Sequence, residues 1–264
     1  MEQGITTLPA SLTAAFAVAL AATLVLPLTV LAVLAWKRKL SAKPFLLGAA
    51  SFFVSQIMLR VPLLGLLQTQ GWFVAFSISH TLLYLLLVGG MSAGLFEESG
   101  RLCGALLLRR RYTYKDVLSF GLGHGLCELV LLIGMGQLNN FMVVMLINSG
   151  NTAALEAQLG ANWPAFLAQF AAASAAEVYL GLVERVSALL FHMFNTVLVF
   201  KGVQARKPWY YLLAVLLHGA FNFVGVWLGQ AAGLWAAEAF LLAVGLCGGA
   251  YVLRSKNSFS PQQP

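Results

Sequence analysis

The sequence predicts an all-α membrane protein, a polytopic bundle of about seven transmembrane helices. Of its 264 residues, 60% are hydrophobic and only 9% are charged, whereas about 25% of the residues in a soluble domain are charged. The mean hydropathy is +0.83. The apolar residues form segments of about 20 residues or more, which is the length needed to cross a hydrocarbon core of about 30 Å.

Seven such segments can be placed along the chain. The first is preceded by Glu2 and by no basic residue, and it is too long for the apolar part of a signal peptide, so we expect it to be retained. The predicted spans are residues 10–36, 44–67, 73–96, 117–136, 181–200, 209–229 and 234–253. We expect a single integral membrane domain over residues 1–264.

The basic residues predict the orientation of the bundle, because Lys and Arg near span ends prefer the cytoplasm. They follow alternate spans, in the segments 37–43, 109–115, 201–207 and 254–256. Lys and Arg are missing from the opposite segments 68–71, 136–178 and 229–233. We therefore expect a bacterial cell-membrane protein with its N-terminus outside and its C-terminus in the cytoplasm. The net charge of +7 then reflects topology and contact with anionic lipid, and we expect no nucleic-acid partner.

Two further apolar stretches lie in the long segment after the fourth span. They are Phe141–Ile147 and Trp163–Ala176, which are short or poorly separated from the next span. Counting the second as a span would leave no turn before the following helix and would move the later basic clusters to the other side. We expect both stretches to be interfacial or re-entrant helices.

Ionisable residues at membrane depth are the strongest functional signal, because a lipid-facing charge costs several kcal/mol. Counting inward from the cytoplasmic span ends, at about 1.5 Å per residue, puts four of them near the bilayer midplane. These are Glu98, His124, His192 and His218. The remaining histidine, His80, falls outside this layer, and we expect it to have a structural role.

Helical spacing adds further polar residues to the same faces, because residues four apart lie on one side of a helix. The same-face pairs are His124 with Glu128, His218 with Asn222, and Glu184 with His192. Arg101 or Arg185 would partner the surplus carboxylates. A network that only ties helices together is the simplest alternative, but it leaves a whole layer of such groups at one depth unexplained.

Four motifs, in order along the chain, resemble those of a known family. They are Glu97-Glu98-Ser99-Gly100-Arg101, Phe120-Gly121-Leu122-Gly123-His124-Gly125 with Glu128, Glu184-Arg185 with His192, and His218-Gly219-Ala220-Phe221-Asn222. The set resembles the YhfC-type membrane peptidases. It is also similar to the wider CPBP or ABI group, which comprises CAAX prenyl endopeptidases and bacteriocin-processing enzymes. The resemblance covers about residues 75–225, but the wider group usually has three residues between the glutamate pair and the arginine, and this chain has two.

The resemblance implies an intramembrane endopeptidase that hydrolyses a peptide bond with a glutamate-activated water. Such a reaction needs a base for the water and hydrogen-bond donors for the oxyanion. By resemblance, Glu97 is the base, His124 holds the water, and His218 and Asn222 donate to the oxyanion. Which of Glu97 and Glu98 is the base stays open, because adjacent helical residues point about 100° apart.

Other residues are expected to support this site. By resemblance, Glu98 and Arg101 orient the groups that react. The remaining supporting residues are Glu128, Glu184, Arg185 and His192. The expected substrate is a membrane-embedded or membrane-proximal peptide, and the expected surroundings are the lipid bilayer.

Two alternatives stay open at this stage. A zinc ion held by His124, His192 and His218 would also activate water, although the helical H-E-x-x-H signature is absent. We rank the mechanism without a cofactor above zinc. A small proton or metal-ion transporter would also use midplane acids and imidazoles, but the sequence has no internal inverted repeat and its polar residues are bunched at one depth.

Overall fold

The computed structural model describes residues 7–108 and 112–259. In these residues the chain is helical, and seven helices are long and apolar enough to cross a membrane. The all-α membrane fold and the number of spans are therefore confirmed. Three of the basic residues used to predict the orientation lie outside the described residues, namely Arg109, Arg110 and Arg111.

Within the described residues, seven long and three short helices follow one another, if a helix with an internal π-helical segment is counted once. The long helices are α1 (Ala10–Trp36), α2 (Ala42–Gln68), α4 (Thr81–Leu107), α5 (Tyr114–Asn148), α8 (Ala175–Ala205), α9 (Trp209–Ala232) and α10 (Leu234–Arg254). The short helices are α3 (Gly71–Ser79), α6 (Ala153–Leu159) and α7 (Trp163–Ala172).

The third span differs from its predicted bounds of 73–96. The helix breaks at His80, where φ is −133° and ψ is 51°, so residues 71–79 form the separate helix α3. Helix α4 then continues through the glutamate pair to Leu107. The depth of Glu98, counted inward from the basic segment 109–115, requires this continuation. It also keeps Glu97, Glu98 and Arg101 on one regular helix.

The prediction for Phe141–Ile147 is wrong, because this stretch is the end of α5 and not a separate helix. The predicted span ended at residue 136, but the backbone stays helical through the polar residues Gln137, Asn139 and Asn140 that follow. Helix α5 has 35 residues, or about 52 Å at 1.5 Å per residue, which exceeds the thickness of the hydrocarbon core. The second stretch does form a short helix of its own, Trp163–Ala172.

The chain divides into two compact units. The first comprises residues up to Leu31 and Leu129–Val183. Its core contains Leu12 and Phe16 of α1 packed with Val144 and Ile147 of α5. A hydrogen bond from the Leu8 amide to Asn148 Oδ1, 2.6 Å long, ties the start of the chain to the end of α5.

The second unit comprises Ala32–Glu128 and the chain from Glu184 onward. Its apolar core includes Val117, Phe120 and Phe200. Glycines let its helices approach closely: a methyl group added at Gly94 of α4 would lie 2.6 Å from the Val215 carbonyl oxygen of α9. This close packing brings together the helices that carry the glutamates and histidines of the predicted polar layer. The prediction of one domain over the whole chain stays a prediction.

Candidate active site

Four helices of the second unit place ionisable side chains in one buried cluster. Helix α4 supplies Glu97 and Glu98, α5 supplies His124, α8 supplies His192 and α9 supplies His218. Each of these side chains is buried. A cluster of carboxylates and imidazoles removed from water needs partners for every polar atom, so its hydrogen bonds decide what it can do.

Glu97 lies at the centre of the cluster. Its Oε2 is 3.1 Å from His124 Nε2, 3.9 Å from His218 Nε2 and 4.0 Å from His192 Nδ1. Its other oxygen, Oε1, accepts a hydrogen bond of 2.9 Å from Gln56 Nε2 of α2. One carboxylate oxygen is therefore fixed by an amide, and the other faces three imidazole nitrogens.

Glu98 points to a different set of groups. Arg101 Nη1 donates to both carboxylate oxygens, at 2.5 and 2.6 Å. Asn195 Nδ2 donates to Oε1 at 3.2 Å, and His218 Nδ1 lies 2.7 Å from the same oxygen. The adjacent glutamates thus differ: Glu98 is bonded on both oxygens, whereas Glu97 keeps one oxygen toward the imidazoles.

The hydrogen bonds of His124 fix which ring nitrogen carries its proton. The Ser51 hydroxyl donates to the Gly48 carbonyl at 2.7 Å, and it lies 2.9 Å from His124 Nδ1. A hydroxyl has one proton, so Ser51 accepts here and His124 Nδ1 donates. In the neutral ring, Nε2 then has a lone pair, and this is the nitrogen that faces Glu97.

The proton positions on the other two histidines are assigned in the same way. His218 Nδ1 donates to the Glu98 carboxylate, so a lone pair is left on its Nε2. Arg101 Nη2 lies 3.2 Å from His192 Nδ1, and since a guanidinium only donates, this nitrogen is an acceptor. His192 Nε2 then donates to Glu128 Oε2 at 2.6 Å.

Each ring therefore turns an unprotonated nitrogen toward Glu97 Oε2, while its opposite nitrogen is held by a separate partner. Ligand atoms of Glu97, His124 and His192 all lie within 4.8 Å of one another. Imidazole nitrogens with lone pairs, backed by an oxygen acceptor on the far nitrogen, are the usual donors for a divalent transition metal. By its donor set, the cluster fits a zinc-type ion.

A second row of charges borders the cluster beyond His192. Arg185 Nη1 lies 3.8 Å from Glu128 Oε1, and Arg185 also contacts Glu184, its neighbour in the chain. These three side chains are only partly buried. The predicted supporting residues Glu128, Glu184 and Arg185 thus lie near one another, and Glu128 alone of the three reaches a histidine.

Asn222 and His80 lie apart from the histidine cluster. Asn222 is one turn beyond His218 on α9 and lines a cavity that also contains Glu184. Within the described residues its side chain makes no hydrogen bond. His80 is exposed at the break between α3 and α4 and stacks on Phe76, and its structural role stays a prediction.

Sequence reasoning missed the contribution of α2. Ser51 holds His124, Gln56 holds Glu97, and Arg60 Nη1 donates to Gln56 Oε1 at 3.2 Å. The signal was only partial: Ser51 and Ser55 are four residues apart, as are Gln56 and Arg60, so each pair shares a helical face, but in a regular α-helix the two pairs face different directions. In the structure a π-helical segment, Phe53–Arg60, contains the second pair. Asn195, three residues beyond His192 on α8, was missed as well.

Comparison with known proteins identifies the family of this chain. A family model described as "YhfC intramembrane metalloprotease" matches residues 22–242. The chain belongs to the YhfC intramembrane metalloprotease family. A relative in this family, "Uncharacterized membrane protein YhfC" of Bacillus subtilis (strain 168), is 32% identical over 197 residues, which cover 72% of this chain and 76% of the relative. No solved structure matches the chain.

Family membership confirms the resemblance inferred from the ordered motifs, and it supports an integral membrane protein. The YhfC family description names a metalloprotease, so the higher rank that the sequence analysis gave to a metal-free glutamate mechanism is not supported. The expectation of no cofactor is likewise not supported, because the YhfC match and the buried Glu97–His124–His192 group both point to a metal.

Proposed function

We propose that this protein is an intramembrane metallopeptidase whose metal is held by His124, His192 and His218, with Glu97 as the general base. One observation carries the proposal. The unprotonated nitrogens of the three rings lie 3.1, 4.0 and 3.9 Å from Glu97 Oε2. His192 Nδ1 also accepts from Arg101 Nη2 at 3.2 Å, whereas His124 Nε2 and His218 Nε2 face a carboxylate oxygen that has no proton to donate, so a cation is the natural partner for the group.

The bound metal would act as a Lewis acid, polarising the scissile carbonyl and activating water. Within the chain, the hydrogen-bond acceptors behind the imidazoles keep their metal-facing nitrogens free of protons. Ser51 does this for His124, Glu98 for His218 and Glu128 for His192. Such outer partners also fix the ring orientation, so three helices present imidazole nitrogens toward Glu97 Oε2.

Glu97 is the candidate proton acceptor because only one of its oxygens is engaged by a hydrogen-bond donor. Gln56 Nε2 holds Oε1 at 2.9 Å, so Oε2 is aimed at the imidazole cluster. Glu98 is unsuited to this role, since both of its oxygens accept from Arg101. Glu97 would take the proton of water at Oε2 and later deliver it to the leaving amine.

The oxyanion role expected of His218 needs revision in this proposal. With its proton on Nδ1 toward Glu98, a neutral His218 has no donor on the side that faces Glu97. Asn222, one turn away on α9, has an amide that can donate, and it lines an open cavity. We therefore assign His218 to the metal and keep Asn222 as the candidate oxyanion donor.

The experiment compares metal content and peptide cleavage in purified wild type, His124→Ala, Glu97→Gln and His80→Ala. His80 is the matched control, because it is a histidine of the same chain outside the cluster. We expect about one zinc ion per wild-type protein, and loss of both metal and cleavage in His124→Ala. Glu97→Gln should keep the metal and cleave at least about a hundredfold more slowly. His80→Ala should match wild type.

Other outcomes of this experiment would change the role of Glu97, the mechanism or the function. Metal lost in Glu97→Gln would make Glu97 a ligand in place of a base. Full activity of a metal-free wild type would reject the metallopeptidase and restore the glutamate-activated water. Bound metal without cleavage of any peptide, together with metal flux into vesicles, would favour the transporter.

A further inference from the structure

A second polar site lies beside the histidine cluster, in a cavity of about 390 Å³ between α4, α8, α9 and α10. Its polar lining residues are Glu184, Asn222 and Glu238. Most of the remaining wall is aliphatic or aromatic and includes Leu85, Phe221 and Leu241. The cavity therefore combines a long apolar surface with carboxylates.

Glu238 of α10 is the unusual member of this lining. Its side chain is buried, with 4% of the residue exposed. Its Oε2 has no hydrogen-bond partner among the described residues. A buried carboxylate oxygen without a partner is costly, so a donor from outside the chain would be bound favourably here.

The charges around the cavity are unbalanced. Glu184 contacts Arg185, and Arg185 also lies 3.8 Å from Glu128. The guanidinium of Arg185 also interacts electrostatically with the Glu238 carboxylate. One cation thus serves three carboxylates, which leaves the cavity attractive to a positively charged group.

The cavity adjoins the proposed catalytic cluster. Phe221 in its wall stacks on Phe191, with ring centroids 4.1 Å apart. Phe191 in turn meets the His218 ring edge-on at 5.8 Å. A group bound in the cavity would therefore be separated from His218, a proposed metal ligand, by the rings of Phe221 and Phe191, and would lie close to Asn222.

We propose that this cavity binds a lysine or arginine side chain of the peptide substrate next to the bond that is cut. The apolar wall would cover the aliphatic stem, and Glu238, with Glu184, would pair with the cationic end. The assignment rests on the proposed peptidase function and names its substrate class, a membrane-associated peptide with a basic residue near the scissile bond.

The test uses full-length protein in phosphatidylcholine nanodiscs. One membrane-spanning peptide is varied at single positions between lysine and norleucine, which keeps the aliphatic stem and lacks the ammonium group. At one position we expect wild type to cleave the lysine peptide with a kcat/KM about 10- to 100-fold higher than that for the norleucine peptide. Glu238→Gln, which keeps the size of the side chain, should abolish the preference by slowing only the lysine peptide.

Glu156→Gln is the control, because Glu156 is an exposed acid of α6 whose carboxylate accepts from the Thr152 hydroxyl and does not line the cavity. It should keep the preference for lysine. Equal slowing of both peptides by Glu238→Gln, or equal cleavage of lysine and norleucine peptides at every position in wild type, would overturn the proposal.

A binding measurement separates this inference from the peptidase proposal. Fluorescent lysine and norleucine peptides are titrated onto Glu97→Gln, with and without Glu238→Gln. Tighter binding of the lysine peptide, lost on adding Glu238→Gln, would support the cavity even if wild type cleaved nothing. Equal binding of the two peptides would reject the role of the cavity in binding lysine, and it would leave the peptidase proposal unaffected.

Discussion

Gln56 shows how a single uncharged side chain can direct the proposed base. Its Nε2 donates to Glu97 Oε1 at 2.9 Å, and its Oε1 accepts from Arg60 at 3.2 Å. Arg60 is itself held by Ser92 and by the Val88 carbonyl. The chain of donors runs from Arg60 through Gln56 to Glu97, so the carboxylate is oriented from α2.

Gln56→Leu should therefore lower kcat by about 10- to 100-fold, because outer partners of a metal site contribute that much. KM and zinc content should change little, since Gln56 does not reach the imidazoles. Peptide kinetics and elemental analysis on the same samples check this. Gln68→Leu, at the exposed end of the same helix, is the control. Unchanged kcat in Gln56→Leu would remove this residue from the orientation of Glu97.

Arg101 has a different role, which is mainly one of stability. Both side chains of the Arg101–Glu98 pair are fully buried, so Arg101→Ala would leave a buried carboxylate facing no cation. We expect a loss of about 3–5 kcal/mol in the free energy of unfolding. A thermal or denaturant melt in detergent measures it. Arg206→Ala, in the exposed turn after α8, should melt like wild type, and an unshifted melt of Arg101→Ala would contradict the buried pair.

At the scale of single residues, the sequence predicted which acids and imidazoles form the site but not which ring nitrogens carry a proton. Depth and spacing predicted that Glu98, His124, His192 and His218 would lie together, and the structure brings them together. The proton positions on the rings depend on Ser51, Glu98 and Glu128, which come from three different helices. No sequence spacing within one helix reports such contacts, so the choice between a metal and a metal-free water could not be made from sequence.

At the scale of helices, the site depends on how closely α4 and α9 approach. An added methyl group at Gly94 would lie 2.6 Å from the Val215 carbonyl oxygen and 3.1 Å from the Gly219 amide. Both neighbours are backbone atoms, so the helices themselves would have to separate. Gly94 is one turn before Glu97 and Glu98, and Gly219 follows His218, so separation would act directly on the contact between Glu98 and His218.

Gly94→Ala is therefore expected to destabilise the protein by about 1–3 kcal/mol, as overpacking of a filled interface does. It should also lower zinc content, because His218 loses its partner Glu98. Gly89→Ala, on the same helix, is the matched control, since a methyl group there meets no atom within 4 Å. If both variants melted and bound zinc like wild type, the close approach of α4 and α9 would not hold the site together.

Helix number followed from apolar length, but helix ends did not. The start of α4 was misplaced because the break at His80 is a backbone feature, with φ of −133° and ψ of 51°, inside an unbroken apolar stretch. The end of α5 was misplaced for the opposite reason. The apolar stretch stops before the polar residues Gln137, Asn139 and Asn140, yet the helix continues through them.

At the scale of the whole molecule, the odd number of spans places the two termini on opposite sides if all seven cross the membrane. The structure places the basic segments 37–43, 201–207 and 254–256 at the ends of the long helices α1, α8 and α10, with Lys201 in the last turns of α8 and Arg254 as the last residue of α10. Because such residues are retained in the cytoplasm, the orientation with the N-terminus outside stays our prediction.

This orientation is tested with reporter fusions in a bacterial host. A fluorescent protein fused to the C-terminus should fold and fluoresce, because its expected compartment is the cytoplasm. Alkaline phosphatase joined after Gln70, in the loop without Lys or Arg between α2 and α3, should be active, since it needs the oxidising outer side. The same enzyme joined after Lys39 should be inactive. The reverse pattern at all three positions would invert the bundle, and would place the part of the Glu238 cavity lined by Gly229 and Leu234, near the ends of α9 and α10 that flank Gly233, toward the cytoplasmic side.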